Sequence, residues 1–195
     1  MDADTVPIPN WNSRGVLPPV NSADPISSDQ SPYRVSLIDF VLRFGNTEPR
    51  QQIVTGFLNF RSALQAIDLV NGFQWIDGSF VENIEMIEGR APRDIDVVTF
   101  FHMPDGENQE TLLQATPRLF DPPATKEDYR VDAYFVQLNT DMPEPLVGQS
   151  AYWNRLWSRR RNGQRKGYVQ IDLSPADDQE AKSKLDSMVN EGGQP

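Results

Sequence analysis

The sequence predicts an α+β fold, a small mixed β-sheet of about four to five strands packed against helices, with an extended N-terminal arm. Two observations predict it. Apolar residues recur at helical spacing over the first half of the chain, and short runs rich in β-branched and aromatic residues follow, separated by turn formers. A third bounds it, because 195 residues with 38% hydrophobic and 10% aromatic content suit one domain with a substantial core.

Residues 1–32 hold Pro7, Pro9, Pro18, Pro19, Pro25 and Pro32 among serines and asparagines, which forbids a regular helix and predicts an extended arm. Trp11, Val16 and Leu17 punctuate it, and such anchors predict that the arm lies against the domain or a partner. The domain proper spans residues 33–173. Within it, Leu37, Ile38, Val41 and Leu42 mark a helix over 35–44, and Ile53, Val54, Phe57, Leu58, Phe60, Leu64 and Ile67 mark a second over 49–69. Thr47 and Pro49 suit the start of the second, Asn71-Gly72 its end. Strands are predicted at 73–76, 95–101, 131–138 and 167–173. Between them fall a loop at 82–93, a weak helix at 111–119 broken by Pro117, and a helix at 150–160. The tail, 174–195, is polar, with one exposed helix expected over 175–189 before it frays.

The chain has no cysteine, which excludes disulfides and thiolate chemistry, and His102 is its only histidine, which excludes paired-histidine zinc sites. The bland reading of His102, at a strand end, is structural. Chemistry must run on carboxylates, hydroxyls and basic groups. The acidic, proline-containing start predicts no secretory signal, and no run approaches the roughly 18 apolar residues of a membrane span, so a cytoplasmic protein without membrane contact is expected. A net charge of −10 argues against a general nucleic-acid binder. Yet Arg155, Arg159, Arg160, Arg161, Arg165 and Lys166 fall in a stretch free of acids, predicting one locally positive face; a local nucleic-acid contact is the less favoured reading of it.

Three elements carry the chemistry. Gly78-Ser79 ends an apolar strand, where a glycine lets backbone approach a phosphate and a serine hydroxyl donates to it. Asp94 and Asp96 stand two apart on the next strand, so both project to one face while Ile95 and Val97 enter the core. Two like charges held so close call for a cation or a proton, and Mg²⁺, with its preference for oxygen ligands, suits them. Asp132, near the start of a later strand, completes a carboxylate triad if that strand neighbours the first. The alternative is local pairing of Asp94 and Asp96 with Arg90 and Arg93, and of Asp132 with Arg130. Glu82, Glu85 and Glu88 read as a solvated face.

This ordered set resembles the nucleotidyltransferase superfamily with the DNA-polymerase-β-type core, whose signature is Gly-Ser, an Asp-x-Asp strand and a third acid on a later strand. The likeness spans roughly residues 73–138 and is greatest to small, uncharacterised bacterial members. It implies that Gly78 and Ser79 grip a nucleoside triphosphate, ATP being favoured. The basic stretch itself reads either as arginines meeting the dipole at a helix end or as Arg165 and Lys166 reaching the triphosphate or an RNA backbone. The resemblance further implies that Asp94, Asp96 and Asp132 bind two Mg²⁺ ions and are catalytic. The expected reaction moves a nucleoside monophosphate to a hydroxyl acceptor, one concrete version being an acceptor on a partner protein in an antitoxin or antiviral-defence setting. The other expectation is a non-catalytic module of the same fold that docks on a partner as an antitoxin or defence-system subunit.

Overall fold

Five strands and seven α-helices form among the residues that the computed structural model describes, 5–21, 23–27 and 29–192. In chain order they are β1 (Tyr33–Arg34), α1 (Leu37–Phe44), α2 (Glu48–Gln65), β2 (Gly72–Asp77), α3 (Ile84–Glu88), β3 (Ile95–Phe101), α4 (Gln109–Ala115), α5 (Pro122–Tyr129), β4 (Val131–Gln137), α6 (Pro143–Trp157), β5 (Val169–Asp172) and α7 (Asp178–Gly192). The sheet is open and mixed, in the order β1-β5-β2-β3-β4. Its centre is antiparallel, β2 pairing with both β3 and β5, whereas β3 and β4 run parallel through the crossover that contains α4 and α5.

Alternation along each strand sorts residues between two cores. Ile76, Ile95, Val97, Phe101, Val131, Ala133 and Ile171 face a large core with Phe40 of α1, Phe57 of α2 and Leu185 of α7. Val98, Phe100 and Val136 point the other way, onto Trp157 of α6 and Tyr168. Because Asp94 and Asp96 share the phase of Val98, they belong to the α6 face.

Four of the five strands, β2 to β5, fall where the sequence predicts them, while the two-residue edge strand β1, too short to show alternation, was not expected and is held by its parallel pairing with β5; the helices depart in instructive ways. The expected helix at 150–160 begins at Pro143, since prolines in a first turn cost no hydrogen bond. The loop expected at 82–93 contains α3, which Asn83 caps by accepting from Met86 N and Gly89 ends in the left-handed region. No element was expected between residues 119 and 131, yet α5 forms there.

Both extensions join the domain. Val16 and Leu17 of the arm are buried, Trp11 Nε1 donates to the Val81 carbonyl at 2.8 Å, and Gly167 N donates to the Leu17 carbonyl at 2.8 Å. The arm thus lies against its own domain, the first of the two placements its anchors allow. In the tail, α7 lays Ala181 and Leu185 against α1 and α2, and the buried Arg61 guanidinium grips Asp178 with contacts of 2.7 and 2.8 Å. The outermost parts of the arm and tail, residues 1–4 and 193–195, lie outside the described residues. No helix among the described residues is long and apolar enough to cross a membrane.

Candidate active site

The pairing of β3 with β4 sets Asp96 opposite Asp132, and the pairing of β2 with β3 sets Asp77 opposite Asp96. Three carboxylates therefore stand in a row across three adjacent strands, roughly 5 Å apart from strand to strand, with Asp94 two residues before Asp96. Such a row is electrostatically unfavourable. Burial, then the charges of Asp77, Asp94 and Asp132, push the Asp96 carboxyl up to about 7 against the opposing pull of Lys166. Burial likewise pushes Asp77 up to about 6, with Lys166 again opposing.

Gly78 adopts φ 86°, and a Cβ there would lie 2.5 Å from Asp96 Oδ2. Only glycine lets the β2 terminus approach the carboxylate this closely. Ser79 follows in a short 3₁₀ turn, Ser79–Val81, and lines the same cleft.

Two lysines answer the acids. Lys126, carried by α5 and half exposed, places Nζ 2.8 Å from Asp94 Oδ2 and 3.3 Å from Asp132 Oδ2. Its hydrogen bond to Asp94 is the main cause that raises it to about 12. Lys166 is buried, its Nζ 2.9 Å from both Asp77 Oδ1 and Glu82 Oε1. The contact to Asp77 Oδ1 is one of charge, outside good hydrogen-bond geometry. Burial alone would lower the Lys166 ammonium, but Asp77 and Glu82 outweigh it and hold its pKa above the ordinary lysine value. From Glu82 the contacts continue to Arg160 at 3.0 Å, from Arg160 to Glu88 at 2.7 Å, and from Glu88 to Arg90 at 2.8 Å. Asp77, Lys166, Glu82, Arg160, Glu88 and Arg90 thus form an alternating chain of charge from the sheet to the rim.

Above this floor opens a cleft of about 1050 Å³. Its lining is also basic, with Arg155 of α6, Arg159 and Arg161 just beyond that helix, and Arg93 ahead of β3. Among the described residues no group of three or more His, Cys, Asp or Glu side chains is drawn together as a metal cage, and the Lys126 ammonium stands between Asp94 and Asp132. The donor chemistry nonetheless fits a hard divalent cation, being all carboxylate oxygen, with the raised Asp96 carboxyl marking excess negative charge.

Of the residues expected from sequence, Gly78, Ser79, Asp94, Asp96, Asp132 and Lys166 line this one cleft. The Lys166 ammonium is already engaged by Asp77 and Glu82. Arg165 is exposed and stands outside the cleft lining, bridged through its backbone to Arg159. His102 sits past the far end of β3, about 20 Å along the strand from Asp96 at the usual rise per residue. The local pairings with Arg90, Arg93 and Arg130 do not form. Lys126 takes Asp94 and Asp132 instead. Nor do the three glutamates make a solvated face, since Glu82 is buried between Lys166 and Arg160 and Glu85 chelates the buried Arg50 guanidinium at 2.7 and 2.8 Å. Asp77 and Lys126 belong to the site and were not expected there. Asp77 shares the phase of Phe73 and Trp75 on β2, which is a readable signal.

The family model described as Family of unknown function (DUF6932) matches residues 9–172, so the chain belongs to that family. The match runs from the arm through β5, the stretch that builds the cleft. No curated protein and no solved structure matches the chain.

Proposed function

We propose that this member of DUF6932 is a Mg²⁺-dependent nucleotidyltransferase that moves a nucleoside monophosphate from a triphosphate, ATP being favoured, to a hydroxyl acceptor. The observation that carries this reading is the in-register row of Asp96 and Asp132 on parallel β3 and β4, with Gly78 pressed against Asp96. Asp94, Asp96 and Asp132 would hold the metal. When bound, Mg²⁺ supplies positive charge that offsets these carboxylates and the developing charge on the phosphates.

The chain's own groups do the rest. Gly78 keeps the β2 terminus low enough for phosphate to pass, Ser79 offers a hydroxyl to it, and Arg93 offers a guanidinium. Asp77 stays paired with Lys166, so that Lys166 holds the floor in place. The acceptor oxygen bonds to the α-phosphorus as the bridge from the α-phosphorus to the β-phosphate breaks. Pyrophosphate leaves with that electron pair, and the hydroxyl proton passes to Asp132.

Incubation with α-labelled triphosphates and Mg²⁺ tests the reading, with labelled product and pyrophosphate expected from wild type and at least a hundredfold less from Asp94→Ala. Equal labelling by both proteins would overturn it.

The Lys126 contacts favour a second reading, a non-catalytic module that docks on a partner protein with its acids already compensated. Thermal shift separates the two. Stabilisation by Mg²⁺ with nucleotide, lost in Asp96→Ala, supports the transferase, because a ligand that binds only the folded state raises its apparent stability. No shift in wild type supports the module.

A further inference from the structure

On an acidic protein, arginines find carboxylates readily. Here Arg50 takes Glu85, Arg61 takes Asp178, Arg90 takes Glu88, Arg118 takes Asp128, and Arg160 takes both Glu82 and Glu88. By contrast Arg155, Arg159 and Arg161, like Arg93, line the cleft and are exposed, with no carboxylate or side-chain hydrogen-bond partner among the described residues. Free guanidinia gathered on one wall are suited to phosphate, which their planar fork meets with two parallel hydrogen bonds.

A triphosphate does not exhaust this wall. The carboxylate floor, Gly78, Ser79 and Arg93 already account for it, and the cleft, at about 1050 Å³, matches or exceeds the upper end of the usual range for one small ligand. The same wall also carries exposed apolar groups. Tyr152, Arg155 and Leu156 stand at helical spacing on one side of α6 and Arg159 follows just beyond its end; Tyr152 and Leu156 are each 49% exposed, Leu156 within the cleft lining and Tyr152 outside it. Tyr152 packs edge-on against Trp153 at 5.1 Å, and Trp153 packs at 4.8 Å on Tyr134, the β4 residue two beyond Asp132. An anchored line of aromatic rings therefore runs from the α6 surface toward the carboxylates.

Resting on the transferase reading above, we propose that the α6 wall binds the phosphates of a single-stranded nucleic-acid end and presents its terminal hydroxyl as the acceptor. Arginine alternating with an exposed aromatic is what a sugar-phosphate strand with stacked bases requires. An acidic peptide would use the arginines and leave Tyr152 idle. Small size and net negative charge place nucleic acid below a protein acceptor; the free arginines Arg155, Arg159 and Arg161 in the cleft reverse that order.

Fluorescence anisotropy with labelled RNA and DNA strands of about eight nucleotides tests the proposal. Wild type should bind at low salt and weaken as salt rises, with a log–log slope of about 2 for three neutralised phosphates. Arg155→Gln/Arg159→Gln/Arg161→Gln should weaken binding at least tenfold and flatten that slope, while Tyr152→Ala weakens binding and leaves the slope unchanged. The preference between RNA and DNA identifies the natural strand. Because the three arginines are exposed and unpaired, circular dichroism and melting of the variant should match wild type. No binding by wild type, binding unaffected by the triple replacement, or equal displacement by polyglutamate would each overturn the proposal.

Thermal shift with Mg²⁺ and ATP on wild type keeps the two readings apart. A nucleotide shift without strand binding removes the acceptor inference alone. Strand binding without a nucleotide shift removes the transferase reading and keeps a strand-binding wall.

Discussion

At the scale of single residues, the site depends on how closely Gly78 approaches Asp96. Gly78→Ala places a Cβ 2.5 Å from Asp96 Oδ2 and asks alanine to hold φ 86°, so we expect a loss of about 1–3 kcal/mol in urea denaturation. Nucleotide-dependent stabilisation should fall with it. Asp96 itself sets the pH response. Its folded pKa, about 7 against an ordinary 3.8, and that of Asp77, about 6, mean that the folded protein binds more protons than the unfolded chain between roughly pH 4 and 7. Their contribution is therefore fully present below that window and is lost as pH rises through it, by as much as a few kcal/mol at about 1.4 kcal/mol per unit. Asp96→Asn should flatten the decline in the metal-free protein, and Mg²⁺ should oppose it by favouring the ionised acids; a wild-type stability that rises over this window would contradict the assignment. Asp94, Asp96 and Asp132 were legible because strand alternation fixes which side each faces. Lys126 was not, since the basic residue nearest Asp132 in sequence, Arg130, takes the left-handed conformation at φ 59° and caps α5.

At the scale of elements, strands β2 to β5 were legible and α5 was not, for a physical reason. Pro122-Pro123 reads as a turn, and Ala-Thr-Lys-Glu-Asp carries no apolar stripe, so nothing local announces a helix. Tertiary contact holds it. At Gly56 of α2, an added Cβ would lie 1.9 Å from the carbonyl oxygen of Tyr129, the last residue of α5. In an open helix, Gly56→Ala would stabilise by up to about 1 kcal/mol. Here the neighbour is backbone and cannot swing aside, so we expect net destabilisation of about 1–3 kcal/mol by chemical denaturation, the usual scale for overpacking. Because α5 carries Lys126 and leads into Asp132, the same variant should also weaken any nucleotide-dependent shift. The arm behaves alike, as its two buried anchors, Val16 and Leu17, stabilise by roughly 1.5–3 kcal/mol each when buried. Truncation through residue 20 should lower the melting temperature markedly, whereas an arm that served only a partner would leave it unchanged.

At the scale of the whole molecule, charge is distributed in a way the net value hides. Six of the 18 basic residues and none of the 28 acidic ones lie in residues 151–171, so the rest of the chain carries −16. A cleft with one basic wall inside a negative body concentrates its attraction locally and repels a polyanion beyond the rim. Net charge could be read from composition, but the gathering of Arg155, Arg159 and Arg161 over the carboxylate row could not, because it depends on α6 crossing the sheet face that carries Asp96. The charge map then predicts how strand length matters. Each added nucleotide should tighten binding while its phosphate can reach a free arginine, and the next phosphates meet acidic surface whose repulsion acts within about 8–10 Å at moderate salt and is screened beyond that. Affinity should therefore plateau at the length that fills the cleft, on the order of four to six nucleotides for a site of this kind. Anisotropy across a series of three to about twenty-four nucleotides measures this directly. A plateau that moves to longer strands as salt is raised fits screened repulsion outside the cleft, whereas affinity that climbs steadily with length at every salt concentration would place a basic track elsewhere on the molecule and contradict the confinement of positive charge to the α6 wall.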